Sequence, residues 1–425
     1  MQNILEMINR DGNAKQVTVS LFDTAGVLQS ATVVTVPAFG QLDVDVSQLS
    51  GFTTNSYGLL KLEFSGTLDG RVSFYRVAGG QYQFAFNSPF RQALAGTTYA
   101  SFNTFDPSTL AAQQPNTTLN WLSLLNLESQ AKSFSVKRYD MSGALIDTTP
   151  VTVPAFGRVD LDGGHGLGAS QVGLNQIVPL DDSAKYLALL TRYGTTATAG
   201  EYSFAFPIAA RQPGAQTQWS TISRGGDATN WVEVVSTSAA SQSVSLEFYD
   251  SNGNVVKTLQ TTLAPFAQVH LNASESLPSG SSGAVKIASS IPNGFIANSM
   301  FYFFEASGAI DAMYGTASGP AKSGLLLGSY NLYLGMYDWL RLFNAGTESD
   351  TVTVLVLSSA GLHSEQYTLA PHTGLDLGLH EPLWQTSPDT YGLIGVSGNS
   401  VVTELLRIKY NSTGSIDIAT ATAVR

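Results

Sequence analysis

The side chains best suited to chemistry in this chain of 425 residues fall into a few small groups. Two carboxylate pairs, Asp43/Asp45 in LDVD and Asp160/Asp162 in VDLD, are spaced two apart. On a strand that spacing puts both carboxylates on one face, where they could help hold a cation between domains or simply be solvated. The run DSNGN at Asp250–Asn254 begins like a calcium loop, but such a loop requires Glu at its twelfth position and Thr261 stands there. His363, His372 and His380 lack a fixed ligand spacing, so no metal is expected. The last group is aromatic. Tyr75, Tyr82, Trp219 and Tyr302, with Tyr99, Tyr330 and Tyr333, could offer ring faces to a sugar or could pack between sheets.

No G-x-S-x-G elbow or Gly-rich phosphate loop is present, and no carboxylate pair is marked out for glycoside hydrolysis. Cysteine is absent altogether, which excludes disulfides, thiolate nucleophiles and Cys-ligated zinc. The expectation is a protein without catalytic residues or cofactor, whose function lies in surfaces.

The composition narrows the class of surface. Hydrophobic residues make up 43%, enough for packed cores, while charged residues are only 12%. Ser, Thr, Asn, Gln and Gly must therefore cover the outside, which suits strands better than helices. A net charge of −11 leaves no basic footprint for nucleic acid. No apolar run is long enough to span a membrane as a helix, and Glu6, Arg10, Asp11 and Lys15 exclude a signal-peptide core at the start. The sequons at Asn116, Asn272 and Asn411 matter only in a glycosylating host.

What positions these groups is a repeat. VPAFG at Val36–Gly40 returns at Val153–Gly157, weakens to LAPFA at Leu263–Ala267 and becomes LAPHT at Leu369–Thr373. Upstream, NILEMIN, NWLSLLN, NWVEVVS and DWLRLFN begin at Asn3, Asn120, Asn230 and Asp338. Each is followed at constant spacing by Gly26, Gly143, Gly253 or Gly361, and further on by Gly58, Gly173, Gly283 or Gly392. Alternating apolar residues, such as Val17, Val19 and Leu21, predict half-buried strands, and FDTAGVL, YDMSGAL and YDSNGNV predict hairpin turns.

Seven or eight short strands in about 110 residues predict a two-sheet sandwich of immunoglobulin-like size. The expected fold class is thus all-β, with four tandem repeats at residues 1–92, 93–212, 213–320 and 321–425. The repeated motif becomes a structural corner built on Pro37, Phe39, Pro154, Phe156, Pro265, Phe266 and Pro371. Pro suits a strand end or a switch between sheets, and the Phe rings are expected to plug the sandwich ends. Trp121, Trp231 and Trp339 are expected in cores or junctions. Segments 97–105, 217–223 and 324–333 read as edge strands, so one terminal unit should lack a strand that its neighbours have, leaving an open edge.

This architecture, with its Ser/Thr/Gly-rich and weakly acidic surface, resembles the tandem immunoglobulin-like repeats of bacterial secreted and cell-surface proteins. The resemblance implies an extracellular or cell-surface structural or adhesive protein: a stalk, surface-layer or fibre component. Its partners would be other copies of itself or neighbouring surface proteins, with glycans as a further class. A carbohydrate-binding or enzyme-accessory module is the alternative.

Overall fold

The computed structural model describes residues 1–105, 118–195, 202–304, 308, 310–412, 414–422 and 424. The Asn116 sequon and the third residue of the Asn411 sequon lie outside the described residues. The chain is all-β, with 64% strand and 4% helix. It divides into two compact units, the first ending at Gln212 and the second beginning at Pro213. No helix among the described residues is long and apolar enough to cross a membrane.

In the first unit, strands β1 (Gln2–Asn9), β4 (Gln41–Asp45), β6 (Leu68–Ala78) and β7 (Gln81–Pro89) form a sheet ordered β4-β1-β6-β7. Opposite it lie β2 (Lys15–Asp23), β3 (Leu28–Val36) and β5 (Gly58–Glu63), ordered β3-β2-β5. Leu5 and Met7 from one sheet meet Val17 and Val19 from the other, so the layers are joined by a shared apolar core. The pattern then recurs. Strands β9 (Leu119–Asn126), β12 (Arg158–Asp162), β14 (Tyr186–Thr195) and β15 (Tyr202–Ala209) are ordered β12-β9-β14-β15. They face β8 (Thr98–Asn103), β10 (Lys132–Asp140), β11 (Leu145–Val153) and β13 (Val172–Pro179), ordered β11-β10-β13-β8.

The second unit repeats both orders. The sheet β20-β17-β22-β23 uses β17 (Thr229–Ser236), β20 (Gln268–Asn272), β22 (Phe295–Phe304) and β23 (Ile310–Ala317). Its counterpart is β16-β21-β18-β19, from β16 (Thr217–Ser223), β18 (Gln242–Asp250), β19 (Val255–Leu263) and β21 (Ser282–Ser289). The remaining strands are β24 (Lys322–Asn331), β25 (Tyr337–Asn344), β26 (Asp350–Ser358), β27 (Gly361–Leu369), β28 (Gly374–Gly378), β29 (Tyr391–Tyr410) and β30 (Ile416–Thr422). Here β29 runs unbroken where the other chains of pairing use two strands. Its first half pairs β24 and β26 and its second half pairs β25 and β30, which fuses both layers into one folded sheet.

Local chemistry explains the hairpins. Gly26, Gly143 and Gly253 hold φ of 82°, 89° and 86°, and the strand register slips beside each turn, as a glycine bulge requires. Asp140 and Asp250 accept backbone N–H bonds within their own turns. DSNGN is therefore a turn whose aspartate is occupied by Asn252 and Asn254. The β26–β27 hairpin differs: Ser358 pairs directly with Gly361 and the register does not slip.

Candidate functional site

The repeated motif links the two layers, running from β3 to β4, β11 to β12, β19 to β20 and β27 to β28. A tight turn forms it, with Gly40 N donating to Pro37 O and Gly157, Ala267 and Thr373 bonded likewise to Pro154, Ala264 and Ala370. Proline stands first in the turn at Pro37 and Pro154 but second at Pro265 and Pro371. The third residue is left-handed in every case: Phe39, Phe156, Phe266 and His372 have φ of 49°, 51°, 58° and 59°. For a residue with a Cβ this costs about 1–2 kcal/mol, so the surroundings must enforce it.

Backbone bonds do so, Phe39 N reaching Asp11 O and Phe156 N reaching Glu128 O. A buried asparagine completes the clamp. The Asn9 amide donates to Asn13 O, Val36 O and Pro37 O. Asn126 makes the same three contacts with Gln130, Val153 and Pro154, and Asn344 with Glu348, Leu369 and Ala370. In the remaining copy Ser236 takes the place and bonds Gln242. These asparagines were visible as the last letter of the NILEMIN-type heptads, but only the fold shows what they hold.

Left-handed geometry turns the side chains of Phe39 and Phe156 outward, so these two rings do not plug the ends of their own sandwiches. Phe39 is 53% exposed. Phe156 instead meets the turn of the preceding sheets: it stacks on Phe22 at 5.2 Å, with Lys61 5.5 Å above its ring. Arg158 N donates to Thr24 O at 3.0 Å. A Cβ on Gly26 would stand 1.7 Å from Ala155 O, so only glycine lets the turn seat so closely.

The second unit contains the same contact. Gly374 N donates to Ser251 O at 3.0 Å, and a Cβ on Gly253 would stand 2.9 Å from Pro371 O. His372 packs on Tyr249 at 4.5 Å, where Phe156 packs on Phe22. Burial pushes the His372 imidazole below its ordinary pKa, helped by Lys286. It also pushes the Tyr249 phenol up to about 12, reinforced by Glu247.

Beside this contact lies a buried ionic group. Arg341 on β25 faces Asp376 on β28 at 3.0 Å and Glu404 on β29 at 3.3 Å. From β16, Thr221 donates to Glu404 at 2.7 Å and Ser223 accepts from Arg341 at 3.3 Å. Burial opposes the Arg341 charge, but Asp376, Tyr314 and Glu404 overcome it and hold the guanidinium firmly protonated. Burial raises the Glu404 pKa and Arg341 opposes the rise. The group ties β16 to the sheet of β25, β28 and β29. Its charges are paired with one another across strands, which makes it a joint between β16 and that sheet.

The structure places the other sequence candidates as follows. Asp160 pairs with Arg158, and Asp162 contacts His165 and Arg138, whose guanidinium also binds Asp147, so both carboxylates of the second pair already have basic neighbours. Asp43 accepts from Gln41, and Asp45 caps Ser47. His363 bonds Glu365, His380 packs edge-on against Tyr337 and Trp339, and His372 packs instead with Trp219 and Tyr249. Tyr75 and Tyr82 meet edge-on at 5.7 Å, with Tyr75 buried in β6. Tyr302 is buried in β22, and Trp219 is buried in a cluster with Tyr249, Ala284 and Phe343. Trp121 lies against His165, and Trp339 against the cluster formed by β22, β23, β29 and β30. No family model matches the chain, and no curated protein matches it.

Proposed function

We propose that this is a non-catalytic structural or adhesive protein of the cell surface or extracellular space, built as four tandem immunoglobulin-like sandwiches at residues 1–92, 93–212, 213–320 and 321–425. Each unit is a pair of sandwiches stiffened by seating a hairpin turn of one on the corner of the next. The observation that carries this reading is the recurrence of one backbone contact, Thr24 O to Arg158 N and Ser251 O to Gly374 N, with the same left-handed glycine beside it. A repeat whose joints are specified this closely transmits shape and load, as a stalk, fibre or surface lattice demands. The low charge and Ser/Thr/Gly-rich surface agree with that role.

Antibody labelling of intact cells of the source organism tests the location; signal only after permeabilisation would overturn it. A glycan array on the purified chain tests the competing carbohydrate-binding reading. Strong binding lost on changing one surface Tyr or Trp would displace the structural proposal.

A further inference from the structure

We infer that β3 is the edge through which two copies of this chain join, antiparallel and about a two-fold axis, so that the β3-β2-β5 sheet of one copy continues into that of the other. The inference deepens the structural reading proposed above and rests on it, since a fibre or lattice needs a defined contact between copies. Strands β3, β11, β19 and β27 all lie at sheet edges, each paired among the described residues with one neighbour, β2, β10, β18 or β26. An edge at this strand is therefore common to every copy of the repeat.

Such edges present unpaired N–H and C=O groups, and proteins guard them with charge or proline. Three of the four are guarded. Counting back six positions from Val36, Val153, Leu263 and Leu369, the residues are Ser30, Asp147, Lys257 and His363. Three positions back, Pro150 stands where β3 has Val33, and four back, Glu365 stands where β3 has Thr32. Strand β3, LQSATVVTV, contains no charge, proline or glycine in nine residues. Its β-branched content favours pairing, and Leu28 and Val33 are 51% and 59% exposed. Strands β8 and β16 are also uncharged, but almost all of their residues are buried.

The lack of charge also selects the occupant. The chain carries a net −11, so two copies repel except where neither presents charge. Strand β3 offers nothing to attract an acidic or basic segment of another polypeptide, whereas against itself it opposes no like charges. An antiparallel pair centred on Thr32 sets Val33 opposite Ala31 and Val34 opposite Ser30, so β-branched side chains meet small ones across the new ladder.

Sedimentation of the full chain across concentration should show a reversible monomer–dimer equilibrium, with amide exchange slowed in the dimer at residues 28–36. Val33→Pro, which copies the second repeat, and Ser30→Lys, which copies the charge of the third, should each weaken the dimer about tenfold or more. Neither should lower the unfolding temperature of the first unit by more than a few degrees, because Pro150 and Lys257 occupy the same positions in folded strands. Gln260→Pro, the matching change in β19, should leave the dimer intact. A monomer at every concentration, protection at another strand, growth beyond the dimer, or a dimer indifferent to both β3 variants would overturn the inference. So would equal weakening by Gln260→Pro. A strict monomer leaves the cell-surface location standing, since antibody labelling tests that separately.

Discussion

The two turn-on-corner joints, Asp23–Gly26 on Pro154–Gly157 and Asp250–Gly253 on Pro371–Thr373, share a backbone and little else. Both rest on a carbonyl-to-amide bond and a glycine too close to its neighbour for any side chain. Around that contact the first joint uses Phe22, Phe156, Leu59 and Leu125 with two cations at its rim. The second uses Tyr249, His372, Phe343 and Trp219, with the Arg341–Asp376–Glu404 group buried alongside. Trp219, Thr221 and Ser223 all come from β16, which has no counterpart among the described residues of the first sandwich. A contact made by main chain tolerates replacement of Phe by His, whereas the supporting apolar and ionic parts depend on which strands are present.

The comparison can be broken most severely at Arg341. Replacing Arg341 with Met leaves Glu404 and Asp376 without their cation and should cost roughly 3–5 kcal/mol, seen in calorimetry as a lower transition for residues 213–425 alone. An equal drop for both units would show that they do not melt separately. Trp219→Ala should cost about 3 kcal/mol, again only in the second unit, since the first joint has no ring in that place. Chemical denaturation followed by tryptophan-independent circular dichroism measures it.

Glycine substitutions should divide the joints by degree. Gly26→Ala and Gly253→Ala each force a side chain into φ near +82° or +86°, a penalty of about 1–2 kcal/mol. Gly26→Ala should be the worse because its Cβ would overlap Ala155 O, and protease cleavage near residue 212 or elsewhere should rise first in that variant's first unit. The smallest effect is a pH dependence confined to the second joint. Burial lowers the His372 pKa in the folded state below 6.5, so the unfolded chain binds the proton more readily. Stability is therefore complete above about pH 6.5 and declines as pH falls toward the folded value. His372→Phe, which restores the residue of the other corners, should flatten the melting temperature between pH 7 and 5; an unchanged slope would remove His372 from the joint's energetics.

Much of the frame could be read from residues alone. Alternation at Val17, Val19 and Leu21 marked strands because a half-buried sheet demands period two. The Asp-x-x-Gly runs marked hairpins because an aspartate and a left-handed glycine satisfy that turn locally. The motif with Pro37 and Pro154 marked a link between layers because proline cannot continue a central ladder. The outward direction of Phe39 and Phe156 could not be read, since it follows from a left-handed backbone that the asparagine clamps enforce across 27 or more positions. Nor could the burial of Trp219 and Tyr302, because alternation places a ring on a face without saying what covers that face.

The sequence by itself determined strands, turns and the recurrence of one plan, since these depend on neighbours a few residues apart and on backbone limits carried by Gly and Pro. Tertiary structure alone decided that a glycine of one sandwich seats on the corner of the next and that Arg341 meets two carboxylates from separate strands. Those outcomes depend on groups brought together from distant positions, where packing and desolvation, rather than local preference, set the energy.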